Sequence, residues 1–156
     1  MSEPGPANDW LAGHAARLIK CYRHWTGRDL IAPGLPPGES ARALYEAPFV
    51  VLSHDTAADP SFTYANLSAQ RLFEMPWAEI VGLPSRLSAE PLVREERERL
   101  LKRVAGQGFI DDYSGIRIAK SGLRFSIHRA TVWNLFDEQG HPAGQAACFS
   151  DWRPLA

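Results

Sequence analysis

The stretch from Leu83 to Gly115, LPSRLSAEPLVREERERLLKRVAGQGFIDDYSG, constrains this chain more than any other. It holds the clearest helix, roughly Pro91 to Val104, and runs directly into a strand-like segment. Glu95 with Arg99 and Glu98 with Lys102 are i,i+4 pairs with the acid first, the favourable orientation. Val93, Leu100, Leu101 and Val104 give the helix an apolar side, and Gly106 and Gly108 stop it. The run of charges between them reads as a solvated helix face, not a binding patch. A half-apolar helix with strands before and after it belongs on a sheet.

The strands can be read around it. PFVVLSHD is rich in β-branched and aromatic residues and forms the first. DTAADPS is a turn and FTYAN a second, short strand, which an antiparallel hairpin connects most economically. Asn66 caps LSAQRLFEM, where Leu67, Leu72 and Phe73 make an apolar face. Met75-Pro76 breaks that helix, because proline disfavours helical geometry in its predecessor. Trp77 to Val81 is another short helix, closed by Gly82. After the long helix come FIDDYSGIRIA, LRFSIHRATVWNLF and AGQAACFSDW, separated by the compact turns KSG and DEQGHPAG. The expectation is an α+β fold: a five-stranded antiparallel sheet with helices gathered on one face.

Before this unit, Asn8 or Asp9 caps a helix whose first turn holds Trp10 and Leu11. Leu11, His14, Ala15, Leu18, Tyr22 and Trp25 recur at helical spacing, giving an apolar stripe that must cover something. Gly27 ends the helix, and IAPGLPPGES is a connector punctuated by proline and glycine. The chain therefore divides into an N-terminal docking helix with its connector, residues 1–40, and a main domain, residues 41–156.

Several function classes are excluded at this level. A net charge of −1 offers no electrostatic footprint for nucleic acid or an anionic membrane. Cys21 and Cys148 are too far apart in sequence to suggest a disulfide scaffold or a zinc site. The N-terminus lacks a basic start followed by an apolar core, and no apolar run approaches the roughly 20 residues that cross a bilayer. A cytoplasmic protein is expected.

The order β-β-α-α-α-β-β-β resembles a PAS domain. FTYANLSAQRLFEMPWAEIVGL is similar to the pattern of that family, with Tyr64, Asn66, Phe73, Trp77, Glu79, Ile80 and Gly82 at the matching positions. YANLSAQRLFEM, GLPSRLSAEPLVREERERLLKRV, GFIDDYSGIRI and VWNLFDEQG resemble one PAS-like branch more closely, the MEKHLA domain. That domain occurs alone in bacterial proteins and at the C-terminus of certain plant homeodomain–leucine-zipper factors. The resemblance covers about Leu44 to Trp152. No homeodomain or zipper pattern is present, so DNA binding does not carry over. What it implies is sensing or ligand-modulated interaction, with any ligand held between the sheet and the helices. Haem-binding relatives take an axial histidine from the long helix, and PLVREERERLLKRV has none. Flavin photosensors use a cysteine after the Gly82-like position, and LPSRLSAEP has none. Both cofactors are disfavoured, and the ligand's identity stays unknown.

The residues themselves favour a polar pocket over catalysis. Arg86 and Ser88, preceding the long helix, and Tyr113, Arg117, Arg124, His128, Trp133 and Gln145, from the strands, are the candidate ligand-binding set. Arginine with tyrosine and glutamine donors can orient a carboxylate or other polar head, with aromatic walls for an apolar body. Strand alternation limits this set. Without a bulge, Phe125, Ile127, Thr131 and Trp133 share one face, and Arg124, Ser126, His128 and Asn134 the other. Adjacent Asp111 and Asp112 point to opposite faces and do not form an acid pair; a salt bridge to Arg117 or Arg124 is the simpler expectation. His54, His128 and His141 have no metal-ligand spacing. Ser85, Ser88 and Ser114 lie in no nucleophile elbow.

Three readings of function follow. The first is a small-molecule sensor whose output passes to a separate signalling protein or through homodimerisation, since no kinase, cyclase or DNA-binding module fits in this length. The second is a ligand-free interaction module packed with its own side chains. The third, which the element order and the missing acid/base set disfavour, is a small NTF2-like enzyme. No catalytic residue is assigned.

Overall fold

A computed structural model describes residues 2–89 and 91–155, without the side chains of 91–94. Among the described residues, seven helical segments and six strands follow in order. After a 3₁₀ turn (Pro6–Leu11) come α1 (Ala12–Thr26), α2 (Pro37–Tyr45), β1 (Val50–His54), β2 (Phe62–Ala65), α3 (Leu67–Phe73) and α4 (Trp77–Ile80). A second 3₁₀ turn (Ser85–Ser88) leads to α5 (Pro91–Gln107), then β3 (Phe109–Ile118), β4 (Arg124–Phe136), β5 (Pro142–Phe149) and β6 (Asp151–Pro154). All strand pairs are antiparallel, in the order β2-β1-β5-β4-β3, with β6 also on β4.

The sheet has the expected α+β form with one strand more than expected. AGQAACFSDW divides at Ser150 into β5 and β6, which keep one register against β4: Thr131 pairs with Cys148 and His128 with Asp151. The reason lies partly in β4, where Arg129 has a φ of 53°, in the left-handed region that bulky residues avoid. This irregularity reverses the side-chain alternation. Before it, Phe125 and Ile127 point into the layer formed by α3 and α4, with the Phe125 ring 5.3 Å from that of Phe73. Beyond it, Ala130 and Val132 take that face, whereas Trp133 and Leu135 turn to the opposite one. The expected grouping of Phe125, Ile127, Thr131 and Trp133 on one face is therefore wrong. It assumed an unbroken strand.

The N-terminal docking helix covers the opposite face. Ala15, Leu18, Cys21 and Tyr22 are buried with Trp133, Leu135 and Ala146 of the sheet and with Ala41, Leu44 and Tyr45 of α2. Trp25 donates its indole N–H to the Asn134 carbonyl at 3.0 Å, and its ring lies against Gly108, where any side chain would overlap it. Gly108 also has a φ of 93° and ends α5; Gly106 lies within that helix and does not stop it. Two boundaries differ from expectation. Asn8 accepts from the Gly5 N–H at 2.9 Å, bracing the 3₁₀ turn instead of capping α1, which begins only at Ala12 after three residues with positive φ. The connector is half helical: Pro37 opens α2 from its first turn, where a missing N–H costs nothing.

His14 of α1 carries a consequence for pH. Its Nε2 lies 3.1 Å from Ser53 Oγ, and burial, reinforced by Arg17, holds its pKa down at about 4. The unfolded chain takes up a proton near pH 6.5 and the folded chain does not until about pH 4. Stability should therefore fall across that window as pH drops, by about 3 kcal/mol at most from this residue. Burial lowers the pKa of His54 as well, with the same sign. Urea unfolding of wild type and His14→Gln between pH 7.5 and 4 checks this: the variant should show the shallower loss. Parallel curves would mean that His14 is protonated in the folded state.

Candidate functional site

α5 crosses the sheet face that α1 does not cover, and between them lies a small chamber of about 70 Å³. Its walls are Leu52, Phe62, Phe73, Leu100, Leu101, Ile127, Ala130, Val132, Ala146, Ala147 and Phe149, with Ser53, His54, Ser88, Arg97, Tyr113, Arg117 and Gln145 as polar members. No carboxylate and no cysteine is among the described lining residues. An outer groove of about 630 Å³, walled by Trp25, Leu101, Ala105 and Phe136, adjoins it; His54, Leu101 and Gln145 line both spaces.

The polar members are held by local chain geometry. Tyr113, Gly115 and Arg117 alternate onto one face of β3. A side chain on Gly115 would overlap the Tyr113 hydroxyl, so the glycine lets the tyrosine lie back along the strand toward Arg117. Arg117 Nη2 donates to that hydroxyl at 2.7 Å, Nη1 to the Ile116 carbonyl at 2.9 Å, and the guanidinium lies 5.4 Å from the Tyr113 ring centre. Arg97, from α5, donates through Nη2 to Ser85 Oγ at 2.7 Å. Burial pulls its pKa down to about 10, and repulsion from Arg117 adds to this, yet it remains protonated at neutral pH. Gln145 donates to the Asn134 side-chain oxygen at 2.9 Å and the Leu101 carbonyl at 3.3 Å. Its own Oε1 is buried without a hydrogen-bond partner. Ser88 donates to the Ser85 carbonyl at 2.7 Å. His54 Nδ1 lies 2.9 Å from the Asp55 carbonyl.

Ser88, Tyr113, Arg117 and Gln145, expected in a pocket from sequence, do meet in this chamber. Three others do not. Arg86 is exposed and pairs with Asp59 at 3.1 Å on the surface. His128 precedes the Arg129 irregularity on the side away from Phe125 and Ile127, and its Nε2 lies 2.8 Å from Ser126 Oγ. Trp133 follows the irregularity and is buried under α1, donating to the Leu18 carbonyl at 3.3 Å. Arg124 is not a lining residue either. Asp111 pairs with Arg28 at 3.5 Å, not with Arg117 or Arg124.

Arg97 is the residue that sequence reasoning missed. The charge run is solvated at Glu95, Glu96, Glu98, Arg99, Lys102 and Arg103, but Arg97 is only 8% exposed. The signal was present in the spacing: 93, 97, 100 and 104 form one helical stripe, with Leu100 and Val104 buried. Val93, expected on that stripe, lies outside the described side chains. Among the described residues, no group of three His, Cys, Asp or Glu is placed to hold a metal ion, and no helix is long and apolar enough to cross a membrane.

A sheet with α3–α5 over a small chamber on one face and a docked helix on the other defines a PAS-like domain. Solved structures agree at the level of fold. An RNA-binding light-oxygen-voltage receptor superposes with a TM-score of 0.63 at 22% identity, over 78% of this chain and 34% of its own. The chain thus spans about a third of that receptor. A PAS domain from Colwellia psychrerythraea superposes with a TM-score of 0.61 at 16% identity, over 75% of this chain and 94% of its own. The family itself is narrower: the MEKHLA domain matches residues 12–154, and the chain belongs to that family. The match takes in α1, upstream of the Leu44 to Trp152 resemblance. No curated protein matches the sequence.

Proposed function

We propose that this domain is a non-enzymatic sensor that takes a small organic molecule into the chamber under α5 and passes its state to another protein. The observation that carries the reading is the chamber's chemistry. Polar groups from α5, β3 and β5 converge on an apolar-walled space instead of being filled by neighbouring side chains. A ligand there would touch α5 and the sheet together, and so bias their relative position. The site is cytoplasmic on this reading.

The test is to expose the protein to an extract of its native cells and identify by mass spectrometry what denaturation releases. A single organic species should co-purify with wild type and be absent from Ala130→Leu, whose added bulk fills the chamber. Equal recovery from both proteins would place the binding elsewhere. An interaction role for a second copy or a partner protein also has a specific support: Leu123 and Trp152 are 37% and 39% exposed near the β6 edge. An exposed tryptophan such as Trp152 belongs to the residue types enriched where proteins meet.

A further inference from the structure

We infer that the chamber is an anion site, and that its ligand is an organic carboxylate held by Arg97 and Arg117 with an apolar body extending into the outer groove. This rests on the sensor reading and gives it a ligand class. Two guanidinium groups, each 8% exposed, line one small space. No ion pair within 4 Å joins either to a carboxylate among the described residues.

A guanidinium carries five N–H donors. Arg97 uses one on Ser85, and Arg117 uses two, on Ile116 and Tyr113. The acceptors they do have are neutral hydroxyls and a carbonyl; Glu98 and Asp59 act on Arg97 only from beyond ion-pair distance, so neither charge has a direct anionic partner among the described residues. Buried charge without a partner is costly, and like charges side by side make it costlier. A fold keeps such an arrangement where something anionic completes it. The planar fork of arginine suits a carboxylate, which can accept two parallel hydrogen bonds.

The rest of the molecule's shape follows from the walls. The chamber itself is apolar apart from these groups, and its volume accommodates little beyond a head group and the first carbons. His54, Leu101 and Gln145 stand between it and the outer groove, where Trp25 and Phe136 offer an aromatic wall. A carboxylate with a hydrocarbon or aryl body matches both spaces.

Octanoate and 1-octanol, matched in length and different in charge, are the probes, titrated calorimetrically at fixed ionic strength. Octanoate should bind the full chain at least about tenfold more tightly than octanol. Arg97→Met and Arg117→Gln should each weaken octanoate by roughly 10–100-fold and leave octanol unchanged. Without ligand, Arg97→Met should melt no lower than wild type, since it removes a buried charge that no carboxylate touches directly. Octanol binding as well as octanoate, or octanoate affinity unchanged in both variants, would overturn the anion assignment and leave the sensor reading standing. Failure of both probes on wild type, with Arg97→Met strongly destabilised, would overturn both, because Arg97 would then be a structural group in a closed core. Arg117→Gln, on a different element, keeps the test decisive if Arg97→Met does not fold.

Discussion

Trp133→Ala should lower stability by about 3–5 kcal/mol, the range for emptying a buried aromatic site. Trp133 is fully buried, its ring centre lies 5.0 Å from that of Tyr22 in an edge-on contact, and its N–H reaches the Leu18 carbonyl of α1. The side chain therefore joins the centre of the sheet to the N-terminal helix, and truncation removes the surface on which α1 docks. Trp133→Phe keeps an aromatic ring and loses the hydrogen bond, so it should cost roughly half as much. Urea denaturation measures both. Hydrogen exchange should show α1 losing protection in Trp133→Ala before the sheet does. A cost below about 1 kcal/mol, with α1 still protected, would mean the helix is held by α2 alone.

Asn66→Ala should be nearly as damaging, by about 3 kcal/mol, although it removes few atoms. Asn66 is wholly buried, and its side chain serves four backbone groups. Its oxygen accepts from the Val51 N–H at 3.0 Å and, as the cap of α3, from the Ala69 N–H at 3.1 Å. Its amide donates to the Leu44 carbonyl at 3.1 Å and the Phe49 carbonyl at 2.8 Å. A cap alone is worth about 1 kcal/mol; stranding further buried backbone groups adds the desolvation cost of each. Asn66→Asp separates the two roles. It retains the accepting oxygen but sets a carboxylate against two carbonyls, so it should be unstable at neutral pH and recover as acid protonates it. Equal stability of Asn66→Asp and wild type at pH 7 would show that the donated bonds contribute little.

The capping role of Asn66 was legible because it is local: an asparagine directly before an amphipathic run satisfies N–H groups only a few residues away. Its bonds to Leu44 and Phe49 were not legible, since they depend on α2 folding back beside β1. The same division runs through the candidate site. Tyr113 and Arg117 could be paired from strand periodicity, and both do line the chamber. Trp133 was misplaced because of the left-handed residue Arg129, which no glycine or proline announces, whereas His128 is kept out of the chamber by simple alternation with Ile127. Arg97 was hidden in a run of charges whose other members are solvated.

By itself the sequence determined most of the elements, their order, the antiparallel hairpins and the family, because these rest on periodicity, turn chemistry and motifs within short stretches of chain. It also determined that the N-terminal helix must dock, since its apolar stripe has to be covered. Tertiary structure alone decided which face of β4 each residue takes on either side of Arg129. It also decided that a cationic side chain of α5 would be carried inward with the apolar stripe and set beside Arg117. Such placements depend on the register and curvature of packed elements, where one irregular residue redirects every side chain beyond it.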